Sequence, residues 1–252
     1  MHKNRVALVT GANQGIGLQI VKELAAEGLT VLLGSRQVER GLEAAKSLEG
    51  DVRVIQLDVT DPASVAAAAT RIRSELGRLD ILVNNAAISH AGKRHGQSLA
   101  EHAAHTRPSN VSLAEMRAVW ETNVFGALAV YQAMLPLLRE APFASIVNVS
   151  SGMGSLTLSQ DPKTFWRPMF GPTYSASKTA LNALTLAMAI ELEATPIKVN
   201  AVSPGYTKTS LNDFTGTDSV EEGAAEAVRV ALLGPDGPTG LFTHAKMGKL
   251  PW

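Results

Sequence analysis

The chain has 252 residues, 45% of them hydrophobic and only 18% charged, a composition that suits one large domain with a substantial core rather than a string of small modules. Lys+Arg and Asp+Glu both number 23, so no excess of positive charge exists to draw the chain onto nucleic acid or an anionic membrane. The absence of cysteine excludes disulfides, thiolate nucleophiles and cysteine-ligated zinc or iron–sulfur sites together.

The first apolar run, residues 6–10, follows a basic start but is interrupted at Thr10-Gly11, so it reads as a strand and not as a signal peptide. Directly after it comes Thr10-Gly11-Ala12-Asn13-Gln14-Gly15-Ile16-Gly17, running into a helix with apolar Ile16, Ile20, Val21 and Leu24. Glycines in a strand-to-helix turn let the backbone approach a pyrophosphate, whose charge is met by free N–H groups at the helix start; tight packing alone is the alternative use. The second strand, 30–34, ends in Gly34-Ser35-Arg36, with Arg40 one helical turn further on. An NAD site usually carries an acidic side chain here, whereas a 2′-phosphate calls for arginine. Two guanidinium groups and no carboxylate favour NADPH over NADH, unless Arg36 and Arg40 are merely solvated charges.

A third strand, 52–57, leads to Asp61-Pro62, an N-cap oxygen followed by a residue whose missing N–H costs nothing, and Gly77 marks the left-handed cap that ends this helix. The fourth strand, 79–84, runs into Asn84-Asn85-Ala86-Ala87 and then a long connection, 90–110, that holds four of the six histidines, His90, His95, His102 and His105. Their spacing matches no tight ligand set, so no metal site is expected. Ser112 to Glu115 and Ser219 to Glu222 fit the capping-box pattern of helix starts. The fifth strand, 144–149, ends in Ser150-Ser151, and a second long connection, 152–173, follows. Loops beyond about 12–15 residues are usually functional or disordered, and both leave the carboxyl end of a strand, where open α/β sheets place ligands. Tyr174-Ser175-Ala176-Ser177-Lys178 then opens a helical segment, 174–193, and a sixth strand, 198–202, ends near Pro204-Gly205. Residues four apart share a helix face, so the phenol and the ammonium are neighbours, and a nearby cation lowers a tyrosine pKa.

The apolar runs are nearly continuous in Val, Leu and Ile, as expected of a parallel sheet covered by helices on both faces. No repeat or linker divides the chain, and no run approaches the roughly 18 apolar residues of a membrane span; a single domain over 1–252 and a cytoplasmic address are expected.

In order and approximate spacing, the glycine turn, Asn84-Asn85-Ala86-Ala87, Ser150-Ser151, Tyr174-x-x-x-Lys178 and Pro204-Gly205 resemble the short-chain dehydrogenase/reductase family across essentially the whole chain. The resemblance implies a Rossmann-type doubly wound sheet of about seven strands, with cofactor binding in roughly 1–140 and substrate binding in roughly 141–252. It places Gly11, Gly15 and Gly17 at the pyrophosphate, Asp58 and Val59 near the adenine, Asn85 and Ala86 on the adenosine side, and Asn13, Gln14, Ile16, Pro204, Gly205 and Thr207 also against the cofactor. It implies a catalytic set of Asn123, Ser151, Tyr174 and Lys178: Tyr174 as proton donor, Ser151 on the substrate oxygen, Lys178 on the ribose and the tyrosine pKa, Asn123 holding a relay water. Adjacent Ser150 leaves the serine ambiguous by one position, since neighbours on a strand face opposite ways.

Arg36 with Arg40, the stretch 204–209 and Glu221 to Ala224 resemble the carbonyl-reductase branch, which implies reduction of a ketone or aldehyde by NADPH/NADP+ without nucleic-acid or membrane partners. Ser151 and Tyr174 stand 23 positions apart, further than is usual in the family, so an insertion carrying Phe165, Trp166, Met169 and Phe170 sits beside the substrate. It either walls a pocket for a hydrophobic carbonyl compound or packs on its own domain or a neighbouring subunit; monomer and homo-oligomer both remain open. The alternatives are the alcohol-oxidising direction and a catalytically idle NADP(H)-binding regulator.

Overall fold

A computed structural model describes residues 4–92, 97, 101, 102, 104 and 106–252. Eight strands form one sheet in the order β3-β2-β1-β4-β5-β6-β7-β8. They are β1 (Val6–Val9), β2 (Thr30–Ser35), β3 (Asp51–Gln56), β4 (Ile81–Asn84), β5 (Ala144–Val149), β6 (Ile197–Ser203), β7 (Phe242–His244) and β8 (Gly248–Lys249). All neighbours pair in parallel except β7 with β8. The sheet therefore has one strand more than the seven expected, a two-residue antiparallel edge too short to leave an apolar signature.

Every residue of β1, β4 and β5 is buried, which is why their sequences run apolar without alternation. Alternate residues supply the two faces. One face packs Leu8, Leu82, Ile146 and Val199 against α3 (Pro62–Leu76), α5 (Ala127–Leu138) and α7 (Tyr174–Glu191). The other packs Val9, Leu33, Val83 and Val147 against α1 (Gly15–Ala26) and α8 (Val220–Ala231). Shorter helices are α2 (Val38–Ala45), α4 (Leu113–Trp120) and α6 (Leu156–Gln160).

The expected caps divide. Asp61 accepts a hydrogen bond from the Ala63 N–H, Gly77 is left-handed at φ 77°, and Ser219 with Glu222 forms a full capping box. Ser112 makes no side-chain cap; Glu115 is drawn instead to His102. Among the described residues no helix is long and apolar enough to cross a membrane. His95 and His105 lie outside the described residues.

Because the strand order reverses between β1 and β4, the chain leaves those two strands in opposite directions and opens a crevice at their carboxyl ends. The far side of the sheet is closed by Phe242, fully buried, which stacks on Trp252 at 5.7 Å and packs with Ala201 and Leu250. Truncation as Phe242→Ala should lower folding stability by about 3–5 kcal/mol in urea melts; a loss below 1 kcal/mol would show that the carboxyl-terminal hairpin contributes little.

Candidate active site

Between β1 and α1 the backbone turns at Gly11 with φ +61°, and a Cβ there would stand 2.8 Å from the Ala86 Cα. Gly17, in the first turn of α1, is equally confined: its Cβ would run into the Asn85 amide and the Gly11 carbonyl. The two strand exits are thus in backbone contact, and Asn85 ties them by donating from Nδ2 to the carbonyls of Thr10 and Gly11 at 3.0 and 3.1 Å. Thr10 completes the seam, its Oγ1 accepting from the N–H groups of Asn85 and Ala86, each at 3.0 Å.

Above this seam lies a groove of about 440 Å³. Its walls include Gly11, Asn13, Gln14, Gly15, Ile16 and Gly17 from the turn, Arg36 beyond β2, Asp58 and Val59 beyond β3, and Asn85 and Ala86 beyond β4. Sequence reading assigned all of these. Arg40 is exposed one turn further on and lines no part of the groove. Pro204, Gly205 and Thr207 sit after β6 but not on its walls, and the Thr207 hydroxyl turns back to donate to the Pro204 carbonyl at 2.9 Å. The groove also takes in Thr60, Ser89, His90, Thr122, Thr209, Ser210 and Leu211, none of which was assigned to the cofactor from the sequence.

Tyr174 and Lys178 open α7, and the strand–helix junction fixes them. Lys178 is 2% exposed, and its Nζ donates to the Val149 carbonyl at the end of β5 at 2.8 Å. Burial pulls that amine down to about 7. Tyr174 is pushed up to about 12, burial outweighing a hydrogen bond with Ser151 that acts the other way. In place of the expected acidification, burial of the phenol sets an upward direction for Tyr174; the Lys178 Nζ stands 5.7 Å from the phenol ring centroid and donates to a backbone carbonyl.

The two adjacent serines are turned to different partners. Ser150 faces inward and donates to the Asn182 Oδ1 at 2.6 Å, while Ser151 faces Tyr174 and accepts from the Met153 N–H at 3.2 Å. Asn123 falls in a π-helical turn, Glu121–Gly126, between α4 and α5. Its Oδ1 accepts from the Ile88 N–H and its Nδ2 donates to the Ile88 carbonyl, both at 2.9 Å, and to the Ser177 Oγ at 3.0 Å. The asparagine staples the segment after β4 to α7, one residue short of Lys178.

The connection 152–173 packs on its own domain, one of the uses left open for it. Trp166 packs over Gly152, 3.1 Å from where a Cβ would stand, and the Trp120 Nε1 donates to the Pro172 carbonyl at 3.1 Å, docking the loop on α4. Phe165 meanwhile is 69% exposed, with Met169 and Phe170 also exposed, and faces Tyr206 at a ring separation of 6.4 Å.

A doubly wound parallel sheet with a glycine turn at its switch point defines a dinucleotide-binding class of α/β protein. A family profile described as short chain dehydrogenase matches residues 5–219, and the chain belongs to that family of nicotinamide-dependent oxidoreductases. It is similar to short-chain dehydrogenase/reductase 1 of Saponaria officinalis, 37% identical over 95% of this chain and 94% of the relative. The (-)-isopiperitenone reductase of Mentha piperita is 36% identical over 94% and 95%. The NADPH-bound carbonyl reductase from chicken fatty liver superposes with a TM-score of 0.82 at 29% identity, each chain covered in full.

An amine lowered on folding from 10.5 to about 7 is neutral in the folded chain over a range where the unfolded chain still binds its proton, so stability should rise with pH above 7. Tyr174, raised from 10.0, subtracts stability only above pH 10. Lys178→Met should accordingly be stabilised relative to the parent most below pH 7, the gap narrowing toward pH 10 in urea melts. Parallel stability profiles would refute a neutral buried amine.

Proposed function

We propose that the chain is an NADPH-dependent reductase of ketones or aldehydes, with Tyr174 as proton donor. The observation that carries this reading is the convergence of Ser151, Tyr174 and Lys178 where β5 meets α7. These three are not on the walls of the groove, whose glycine turn and Arg36 suit a phosphorylated dinucleotide, but Asn123 joins the two parts, bonded to Ile88 on the groove wall and to Ser177 in α7. In support, Gly11, Gly15 and Gly17 all line the groove, and the positive φ of Gly11 and Gly15 turns the backbone sharply there, as a turn that brings its N–H groups to a pyrophosphate requires. Among the described residues Arg36 has no carboxylate partner, so both edges of its guanidinium remain for a 2′-phosphate.

Bound NADPH supplies the hydride that reduces the carbonyl carbon. The chain's part is to orient and protonate. Ser151 holds the carbonyl oxygen, and Tyr174 passes its phenolic proton to that oxygen as negative charge develops. A phenol raised by burial keeps its proton throughout the neutral range, which suits the reductive direction. Lys178 braces the far side of the phenol from β5 and, with Asn123, carries the path by which the proton is replaced. Phe165, Trp166, Met169 and Phe170 offer an apolar wall for a hydrophobic carbonyl compound, in keeping with the reductases among its relatives.

Tyr174→Phe should bind NADPH as tightly as the parent while turnover of a ketone panel falls at least about 100-fold; near-parental turnover removes the tyrosine from the mechanism. Arg36→Ala should cost about 10- to 100-fold in NADPH affinity and leave NADH affinity unchanged, a charge-assisted bidentate contact being lost. Equal losses for both cofactors would move the 2′-phosphate elsewhere.

A further inference from the structure

Ser89, His90 and Leu211 line the same groove from opposite banks, and the histidine-bearing segment that contributes the first two has no part in the chemistry above. The Ser89 hydroxyl donates to the Leu211 carbonyl at 2.8 Å and lies 2.7 Å from the His90 Nδ1. A hydroxyl has one proton and a carbonyl only accepts, so the proton at the second contact belongs to His90, whose Nδ1–H donates to Ser89. The His90 ring is met edge-on by His102, centroids 5.5 Å apart. His102 is anchored in turn by Glu115, its Nε2 donating to the carboxylate at 2.6 Å with both side chains only 10% exposed.

The other bank holds the same turn. The Gln14 Nε2 donates to the Ser210 Oγ at 3.1 Å, and the Thr209 methyl lies 3.4 Å from where a Cβ of Gly15 would stand. The short 3-10 turn Ser210–Asn212 is therefore strung across the groove from the glycine turn to the segment after β4. Immediately beyond it, Asp213 and Phe214 take φ values of 52° and 58°. Left-handed backbone is strained for a bulky side chain and persists only where its surroundings enforce it.

We propose that Ser89, backed by His90 and by the His102–Glu115 pair, is a positioning residue that clasps the Ser210–Asn212 turn shut and sets the rate at which the dinucleotide leaves the groove. The assignment rests on the reductase reading of that groove. Strain at Asp213 and Phe214 favours opening, and the clasp opposes it. The single hydroxyl-to-carbonyl bond is the link that a small change removes without touching the glycine turn, Tyr174 or Lys178.

The test is NADPH release from the full-length protein, followed by stopped-flow nicotinamide fluorescence. Ser89→Ala should release NADPH about two- to tenfold faster and weaken its Kd in proportion, the range set by one hydrogen bond. Ser89→Thr, which keeps the hydroxyl, should restore the parental rate. At saturating NADPH the KM for the carbonyl substrate should move less than twofold in both variants. A Ser89→Ala rate equal to the parent's, or a Ser89→Thr variant as fast as Ser89→Ala, overturns the clasp. If the parent itself binds no NADPH, the reductase reading fails as well; if the parent binds and only the variants disagree, the clasp alone fails.

Discussion

A lysine amine donating to the last carbonyl of a central strand is the contact on which the site's geometry depends. Taking an ammonium out of water is costly unless it is partnered, and Lys178 has the Val149 carbonyl to meet it. The cost is shared by loss of charge, as the downward shift of the amine records. In return the start of α7 is tied to the end of β5, a strand fixed on both sides by β4 and β6. No side-chain cap at Thr173 does this work. Further ties join the same strand and its exit to the helix: Asn148 donates to Thr185, Ser150 to Asn182, and the Asn182 Nδ2 to the Gly154 carbonyl.

The same logic of joining exits explains the π-helical turn. A regular helix from Leu113 to Leu138 would not distort at Asn123; one extra residue in the turn swings the amide toward Ile88, where it satisfies both backbone groups of a segment that has no sheet neighbour. Such bulges recur at functional sites because they re-aim a side chain at the expense of helix hydrogen bonds. Here the third contact, to Ser177, brings the exit of β4 and the first turn of α7 to a common point. Thr10 and Asn85 bind the exits of β1 and β4 in the same way. The sheet's apolar faces fold the chain, but its polar edge is what makes the crevice definite in shape.

Much of this was legible in sequence, for physical reasons that also mark where legibility ended. Unbroken apolar runs announce doubly covered strands, and all six anticipated strands lie within a residue or two of those observed. Glycines at 11, 15 and 17 and the Tyr174–Lys178 spacing are local constraints, visible because they act within one turn of backbone. What was not visible depends on distance along the chain. Leu211 meets Ser89 across 122 positions, and no local pattern encodes that meeting. The different partners of Ser150 and Ser151 were visible only in the fold, Arg40 lies exposed on α2 off the groove wall, and the upward shift of Tyr174 reflects burial, which spacing does not report. The capping box at Ser112 fails for a similar reason: Glu115 has a distant histidine as a better partner.

Charge balance gives the groove its particular character. With 23 cationic and 23 acidic side chains, the chain exerts no strong field to hasten arrival of an anionic ligand, so selectivity cannot rest on steering. It must rest on local donors and on how long the ligand stays. On the reading proposed above, the local donors are the N–H groups at the start of α1 and the guanidinium of Arg36, which has no carboxylate partner among the described residues. Residence depends on what spans the opening, and here a strained segment at Asp213 and Phe214 adjoins a turn held from both banks. Strain beside a binding groove is retained where motion is needed: a turn held too firmly would trap a bound ligand, and one held too loosely would let it escape. On the clasp proposed above, two neutral hydrogen bonds, one from Gln14 and one from Ser89, lie between those limits, each of a strength that thermal motion can break.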